Sequence, residues 1–457
     1  MYDIKIVGGQ IVDPTGRTLA AKDIGIKDGK IAAVGNNLEG ARETFIADGK
    51  YVSAGFIDIH CHEESLALTE GKDLDISIAL LRGGVTTAVG GNCGSNRNDF
   101  REFIEYVQAG NYPLNFMTYV GHNTLREKVG NEDIHAKSSK LQIEKMKTLV
   151  EEAIDFGGIG LSYGLEYCPG IDEEEAVSVA ERINGRSDVL AAFHARYDST
   201  RALVALSEIN DIAEAIKTPV QISHLSSVCA YGNMREALVK IENMVNKGLD
   251  VMADAYPYDA FSCKIGSAVF EEGCFENWGK SFDSVMLAEE PYRGVFCNRE
   301  LFYEVRQKYP KMYVVAVVMN EDEIKAALKH PLVFAASDGG YNNHQGHPRG
   351  AGTFARVLGG YCLKDKLFDL YEAIHKMTVM PAKRLRIDSR KGKIQEGYDA
   401  DLVIFDPSTI IDRATFQDPQ TPPEGIEAVF VNGRMAVDKD LVTGVKAGEF
   451  IPRPENK

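Results

Sequence analysis

The sequence predicts an α/β protein in which a (β/α)₈ barrel is joined to a small β-sandwich built from both chain ends. Its 457 residues suit a barrel of about 250 residues with insertions and a satellite domain. Short apolar runs alternate with helical stretches along the middle of the chain, which is typical of buried parallel strands. Short strand-like segments occur at both ends. We therefore expect residues 1–52 and 386–457 to form the sandwich and residues 53–385 to form the barrel.

The amino-terminal region carries alternating apolar and polar residues without a helical period. Segments 3–7, 10–13, 23–26 and 30–34 have this alternation, and turns at Gly8-Gly9 and Lys27-Asp28-Gly29 separate some of them. The region is therefore predicted to consist of short strands.

The central region contains a series of apolar runs that we interpret as buried strands. They are segments 55–59, 85–89, 114–120, 159–162, 189–193, 220–222, 251–253, 313–318 and 333–336. Segments such as 77–82, 140–155 and 173–183 have the apolar spacing of helices. A helix is also expected over 373–385, after which strands return at 400–405 and 428–433. The number of runs favours a barrel over a doubly wound sheet.

Charge and cysteine usage limit the partners and the compartment. A net charge of −16 disfavours nucleic acid and anionic membranes as partners. The first residues lack a signal-peptide pattern, and no apolar run reaches the roughly 18 residues that span a bilayer. Eight cysteines are scattered without a CxxC pair. We expect a cytoplasmic protein with free thiols, and the sequence predicts no particular oligomeric state.

Metal-binding residue types follow several of the predicted strands. His60 and His62 alternate along one run, so both side chains point to the same side. Two imidazoles in this arrangement suit zinc, although the HxH pattern alone is weak evidence. His194, His224 and Asp338 each end a separate run. Because the carboxyl ends of barrel strands meet at one mouth, these residues together predict a metal centre there.

Cys93 lies in a glycine-rich segment, residues 90–94, that follows another predicted strand. A buried cysteine is most often a small apolar side chain. A thiolate is also an excellent zinc ligand that can bridge two metals, and the glycines let the backbone approach a crowded centre. The residues alone leave both interpretations open.

In its pattern of an HxH pair, two later histidines and an aspartate, the chain resembles the amidohydrolase superfamily. Within that superfamily it is similar to the D-aminoacylases, which are N-acyl-D-amino-acid deacylases. The resemblance covers nearly the full length. Its motifs are segments 55–58, 84–87, 91–94, 121–126, 160–167, 254–258, 347–350 and 397–403.

The resemblance implies zinc-dependent hydrolysis of the amide bond of N-acyl-D-amino acids. Three residues match the family's tighter zinc site, and three would line a second, weaker site; these are Cys93, His194 and His224, and then His60, His62 and Asp338. Asp338 also matches the catalytic aspartate, which moves the proton. Arg349 matches the arginine that grips the substrate carboxylate, helped by Tyr256 or Tyr258. The D configuration comes from the resemblance alone.

Two departures from the family's sequence pattern and two alternative functions bear on this interpretation. Residues 225–227 replace an expected histidine and lysine after His224, and segment 262–295 looks short and unusual, so the side-chain and acyl preferences stay open. A cyclic amidase, such as a hydantoinase or a dihydroorotase, generally bridges its metals with a carboxylated lysine on strand four, and segment 159–162 contains none. A non-catalytic ligand-binding barrel would be marked by loss of Asp338 or the histidines, and all are present.

Overall fold

The computed structural model describes residues 1–69 and 74–454. Seven strands form the amino-terminal region, residues 1–54. They are β1 (Tyr2–Val7), β2 (Gln10–Asp13), β3 (Thr18–Ala21), β4 (Asp23–Lys27), β5 (Lys30–Gly35), β6 (Ala41–Ile46) and β7 (Tyr51–Ala54).

Strands and helices then alternate through the central region. The strands are β8 (Phe56–Asp58), β9 (Val85–Gly90), β10 (Asn115–Thr118), β11 (Val120–Gly121), β12 (Gly160–Gly164), β13 (Leu190–His194), β14 (Val220–Ile222), β15 (Val251–Ala255), β16 (Ala260–Lys264), β17 (Val285–Leu287), β18 (Tyr313–Val317), β19 (Val333–Ala335), β20 (Tyr341–Asn342) and β21 (Gln345–Gly346). Four strands close the chain: β22 (Leu402–Phe405), β23 (Ile426–Val431), β24 (Arg434–Asp438) and β25 (Leu441–Val442).

The α-helices lie between β8 and β22 along the chain. They are α1 (Leu66–Thr69), α2 (Asp75–Arg82), α3 (Phe100–Tyr106), α4 (His122–Lys128), α5 (Lys140–Asp155), α6 (Glu173–Val179), α7 (Ala202–Ile216), α8 (Leu225–Cys229), α9 (Met234–Asn246), α10 (Cys274–Trp278), α11 (Arg299–Lys308), α12 (Glu321–Lys329), α13 (Arg349–Ala355), α14 (Leu370–Met377) and α15 (Val379–Arg384). Among the described residues, no helix has the length and apolar composition that crossing a membrane requires.

Two parallel sheets make up the centre. One has the order β10-β9-β8 and the other the order β11-β12-β13-β14-β15-β19. Hydrogen bonds connect them at both ends: the N–H of Tyr119 donates to Gly90 and that of Ile159 to Thr118, while the N–H of Asp338 donates to His60. Since the strands are parallel, their carboxyl ends point to one edge, where the chemistry of such folds is placed.

The segment 313–318 departs from the expected series. It forms β18, which pairs antiparallel with β16 and β17 in a separate three-stranded sheet. A small core of Ala260, Met286, Ala288 and Val315 packs beside it. The prediction that this segment is one of the parallel strands is wrong. A short, wholly apolar run has no hydrophobic periodicity, so it does not indicate which strands it pairs with or in which direction.

Both chain ends contribute to one seven-stranded sheet, with the order β25-β24-β23-β22-β7-β2-β3. A second, four-stranded sheet has the order β5-β4-β1-β6. Alternate apolar side chains of the two sheets, including Ile24, Val52, Leu402 and Phe430, form one buried cluster. The helix expected over 373–385 is two helices, α14 and α15, which meet at Thr378 in a non-helical conformation.

Candidate metal centre and substrate cavity

The six candidate ligands converge at the carboxyl ends of the parallel strands. His60 and His62 follow β8, Cys93 follows β9, His194 ends β13, His224 follows β14 and Asp338 follows β19. Cys93, His224 and Asp338 have positive φ angles of 53°, 33° and 48°. Such angles are uncommon outside glycine and concentrate at functional sites, because the surrounding structure must offset their cost of about 1–3 kcal/mol.

Four of these side chains form a buried quartet. Their potential ligand atoms all lie within 4.8 Å of one another, and the members are His60, Cys93, His224 and Asp338. Cys93 Sγ lies 3.3 Å from His60 Nε2 and 3.4 Å from His224 Nε2. His60 Nε2 is 3.3 Å from Asp338 Oδ1. The quartet draws members from both zinc sites that the resemblance implies, so these sites adjoin.

His62 and His194 lie beside the quartet. His62 Nε2 is 3.0 Å from Asp338 Oδ1, and the His194 ring centroid is 4.5 Å from that of His224. His194 Nε2 contacts Glu166 Oε2 at 2.8 Å, whereas its buried Nδ1 has no hydrogen-bond partner among the described residues. A carboxylate on Nε2 holds the proton there, which leaves the lone pair of Nδ1 free for a cation.

The electrostatics favour the metal-binding forms of Cys93 and Asp338. Burial by itself would raise the pKa of the Cys93 thiol, but the neighbouring His60 and His224 bring it well below its ordinary value. Burial likewise opposes ionisation of Asp338, but Arg349, His60 and His224 bring the pKa of this carboxyl well below its usual range. The site therefore stabilises a thiolate and a carboxylate, and both are zinc ligands.

Asp254 is a site residue that sequence reasoning did not single out. It lies in β15, and its Oδ1 accepts hydrogen bonds from the backbone N–H of His224 at 2.8 Å and from His60 Nδ1 at 3.1 Å. Its Oδ2 accepts from Gln221 Nε2 at 2.8 Å. A carboxylate behind a metal-binding imidazole fixes its tautomer and orientation. The signal available in the sequence was an aspartate within an apolar strand, two positions before Tyr256.

Glu166 and Ser227 are two further residues that contact a candidate ligand and that sequence reasoning did not assign to the site. Glu166 follows β12 and accepts from His194, as described above. Ser227 Oγ lies 2.8 Å from His224 Nδ1, so both nitrogens of His224 have a defined neighbour. Glu166 lies in the motif at residues 160–167, but no local feature of that motif predicts its contact with His194, which is 28 residues later.

A cavity opens beside the candidate ligands. It is lined by Glu166, Tyr167, His194, Ala195, Tyr197, Asp198, His224, Ser227, Val228, Tyr256, Phe261, Ser262, Cys263, Val269, Asp338 and Arg349. Arg349 Nη1 lies 2.8 Å from Asp338 Oδ2, and its guanidinium lies 4.8 Å from the centroid of the Tyr256 ring. The Tyr256 hydroxyl is buried, and no hydrogen bond joins it to the part of the chain that the structure describes. The cavity therefore offers a guanidinium and an unpaired hydroxyl beside the quartet.

Tyr258 has different surroundings from Tyr256. Its hydroxyl lies 3.5 Å from Asp412 Oδ2, and the Arg356 guanidinium is 4.0 Å from its ring centroid. Tyr258 does not belong to the lining of the cavity, whereas Tyr256 does. Of the two tyrosines matched by the resemblance, the structure places Tyr256 beside Arg349.

The sequence and the fold both match known hydrolases. The model of the amidohydrolase family matches residues 288–437. D-aminoacylase of Alcaligenes xylosoxydans xylosoxydans is 32% identical, over 99% of this chain and 98% of the relative. N-acyl-D-aspartate deacylase of the same organism is 28% identical, over 98% of this chain and 95% of the relative.

A solved structure agrees with these relatives. It is N-acyl-D-glutamate deacylase from Bordetella bronchiseptica in complex with zinc and a phosphonate inhibitor that mimics the tetrahedral intermediate. The two chains share 27% identity and a TM-score of 0.88, over 99% of each. The chain belongs to the D-aminoacylase family of amidohydrolases, which confirms the resemblance drawn from its motifs.

Proposed function

We propose that this protein is a zinc-dependent hydrolase that cleaves N-acyl-D-amino acids into a carboxylate and a free D-amino acid. The observation that carries the proposal is the buried cysteine, histidine and aspartate quartet directly beside a cavity containing Arg349. The relatives named D-aminoacylase and N-acyl-D-aspartate deacylase support the substrate class and the D configuration.

The donor set fits zinc. We assign Cys93, His194 and His224 to the tighter site, and the unpartnered, buried Nδ1 of His194 supports this assignment. His60, His62 and Asp338 are assigned to a second, weaker site. When bound, zinc activates water for attack at neutral pH and polarises a carbonyl oxygen.

The chain's own residues bind the substrate and move the proton. Arg349 pairs with the α-carboxylate, and the Tyr256 hydroxyl adds a donor beside it. The amide nitrogen of an amino acid is only two bonds from its carboxylate carbon. Because Arg349 lies 2.8 Å from Asp338, a carboxylate held by Arg349 brings that nitrogen within reach of Asp338. Asp338 accepts the proton of the attacking water and delivers it to the leaving amine.

We also infer the domain organisation from the hydrogen bonds between the two parallel sheets. The backbone N–H groups of Tyr119 and Asp338 join the two parallel sheets at both ends. This closure supports a (β/α)₈ barrel over residues 53–385. The paired sheets of the two chain ends support a β-sandwich formed by residues 1–52 and 386–457. All eight cysteines are unpaired, which is consistent with a reducing, cytoplasmic setting.

A panel of N-acetyl-D- and N-acetyl-L-amino acids, assayed on zinc-loaded protein by released amine, tests the function. We expect turnover of D substrates and none of hydantoins or dihydroorotate. Asp338→Asn should retain the tighter zinc and lose about 100-fold or more in kcat, as is usual when a general acid–base group is removed. Near wild-type turnover by this variant, or hydrolysis of the cyclic substrates alone, would contradict the proposal.

A further inference from the structure

His347 is a buried residue of the motif at residues 347–350, and the proposed function gives it no role. The backbone N–H of Arg349 donates to His347 Nδ1 at 3.0 Å, and His347 Nε2 lies 3.0 Å from the backbone oxygen of Ala260. A carbonyl oxygen can only accept a hydrogen bond, so Nε2 holds the proton and Nδ1 is unprotonated. The imidazole of His347 is therefore a neutral bridge between Arg349 and β16.

The surroundings of the His347 ring keep it neutral and fix its plane. Burial, followed by the charge of Arg349, holds the pKa of His347 well below its ordinary value. The ring centroid lies 5.1 Å from that of Tyr258 and 5.2 Å from that of Phe416, with interplanar angles of 90° and 84°. Edge-to-face contacts of this kind are directional, so they hold both ring nitrogens in the directions that the two hydrogen bonds require.

Ala260 belongs to an edge strand whose outward carbonyl groups need partners. β16 lies at one edge of the three-stranded sheet, next to β18. The backbone oxygen of Asp259 accepts from the N–H of Val318, so Asp259 faces the β18 side. Because successive residues of an antiparallel strand direct their backbone groups to opposite sides, the oxygens of Ala260 and Ser262 face the free edge. His347 satisfies the first of these oxygens.

The same edge holds the guanidinium of Arg349. Arg349 Nη2 donates to the oxygen of Ser262 at 3.3 Å, and Nη1 pairs with Asp338 at 2.8 Å. Arg349 Nε is buried and has no hydrogen-bond partner within the part of the chain that the structure describes. The Nε–H is therefore a donor left for a ligand. Its direction depends on how the edge of β16 holds both the backbone and the side chain of Arg349.

We infer that His347 is a positioning residue, which aligns the Arg349 guanidinium with the substrate's carboxylate by anchoring Arg349 to the edge of β16. The inference rests on the proposed function, which assigns the carboxylate to Arg349. β16 also contributes Phe261 and Cys263 to the cavity wall, so the anchor sets the distance between this wall and the guanidinium. Changes at His347 should weaken carboxylate recognition and leave the candidate metal ligands in place.

Asparagine and glutamine separate the two hydrogen bonds of His347. The Asn oxygen lies nearly where Nδ1 does and can accept from Arg349, whereas the Gln amide nitrogen lies nearly where Nε2 does and can donate to Ala260. In zinc-loaded protein, His347→Asn and His347→Gln should each lower kcat/KM for N-acetyl-D-methionine about tenfold, because each leaves one buried group unsatisfied. The loss should lie in KM, with kcat little changed, since the carboxylate contact is made in the ground state and the transition state alike.

His347→Phe keeps an aromatic ring against Tyr258 and Phe416 but lacks both nitrogens. Its loss on N-acetyl-D-methionine should exceed that of either single-bond variant. Zinc content by elemental analysis should equal that of wild type in all three variants.

Two measurements distinguish positioning from general damage. The carboxamide of N-acetyl-D-methionine lacks the charge that Arg349 recognises, so its turnover should fall little in the His347 variants. In a double-mutant cycle, His347→Asn should cost about tenfold with Arg349 present and little in an Arg349→Ala background, because its effect passes through the guanidinium. Equal losses on the acid and the carboxamide, or additive losses in the cycle, would overturn the inference.

His330 provides a matched control. It also precedes a proline and accepts from a backbone N–H two residues later, that of Leu332, at 3.3 Å from His330 Nδ1. It lies before β19, at the opposite end of that strand from Asp338, and does not belong to the described lining of the cavity. His330→Asn should leave kcat/KM for both substrates unchanged.

The outcomes separate this inference from the proposed function. If zinc-loaded wild type hydrolyses neither N-acetyl-D-methionine nor the other N-acetyl-D-amino acids of the panel, the proposed function fails. Calorimetric titration of the acid and its carboxamide against wild type and His347→Asn then decides the inference. An acid-specific loss of affinity in the variant upholds it. Equal affinities of the two proteins for the acid, or no binding of the acid by either, overturn it.

Discussion

Cys93 shows how a single residue can change its chemistry with its neighbours. A cysteine after a strand is ordinarily a small buried side chain. Here it lies between the Nε2 atoms of His60 and His224, and its thiol is acidic as a result. Its positive φ and the glycines on both sides allow it to enter the centre. Its predicted role as a ligand therefore depends on contacts with the segments that follow β8 and β14.

Cys93→Ala should weaken zinc binding at least tenfold, because even the loss of a residue behind a ligand costs about 10–100-fold in affinity. Zinc content by elemental analysis and turnover should fall together. Cys263→Ala is the matched control, since Cys263 lines the same cavity and contacts Ser267 Oγ at 3.5 Å. Full zinc retention by Cys93→Ala would rule out its role as a ligand.

Arg349→Ala and Arg349→Lys should lower kcat/KM by about 10- to 100-fold, since a charge-assisted hydrogen bond contributes about 1.5–3 kcal/mol. Lysine is not expected to restore activity, because it lacks the planar fork that grips a carboxylate. The loss should be large for N-acetyl-D-methionine and small for its carboxamide. Equal losses on the acid and the amide would mean that Arg349 acts through Asp338 and not on the substrate.

At the scale of elements, a buried ion pair joins α4 to α6. Arg126 Nη1 contacts Glu175 Oε1 at 2.7 Å and Oε2 at 2.9 Å, and both side chains are almost fully buried. Arg126 also donates to the backbone oxygen of Asp133, and Ser138 Oγ donates to Glu175. These contacts tie the loop between α4 and α5 to the helix after β12, close to the strand that leads to Glu166.

Arg126→Met should reduce the free energy of unfolding by about 3–5 kcal/mol, because it leaves the buried Glu175 carboxylate without its partner. The double variant Arg126→Met/Glu175→Met should recover much of that loss, since apolar replacement of a whole buried pair is often neutral. Urea unfolding measures both. A double variant as unstable as the single one would show that the backbone contacts of Arg126 dominate.

At the scale of the whole molecule, a charge cluster holds the two chain ends together. Asp399 lies 2.8 Å from Lys391 Nζ and 2.6 Å from Arg390 Nε, and it also contacts Lys30 of β5. Burial opposes its ionisation, but the charge of Lys391, followed by hydrogen bonds from Arg390, Lys30 and Lys391, lowers the pKa of Asp399 to about 2. This pKa lies below the usual 3.8, so folding favours the ionised form.

The stabilisation by Asp399 should therefore be present above about pH 4 and disappear as the pH falls towards 2. Asp399→Asn should cost about 2 kcal/mol at pH 6, given about 1.4 kcal/mol for each unit of pKa shift. The difference in free energy of unfolding between wild type and variant, followed from pH 6 to pH 2, should shrink towards zero. A constant difference across this range would exclude an ionic origin.

The sequence by itself indicated the candidate residues for the chemistry. His60 and His62 alternate in one run, and His194, His224 and Asp338 each end another, so strand periodicity placed them at a common edge. The strands of the two chain ends could also be predicted, because alternating apolar residues and turn residues are local signals in the sequence. The likeness of eight short motifs to a known family named the reaction class, and the relatives confirm it.

Only the tertiary structure decided how these residues are held and which side chains line the cavity. Asp254 and Glu166 orient histidines that lie far away in the sequence, and such pairings leave no local period. The choice of Tyr256 over Tyr258 beside Arg349, and the antiparallel direction of β18, likewise depend on contacts between distant segments. A local pattern specifies the face of a strand, whereas the neighbours of a side chain are set by the packing of the whole chain.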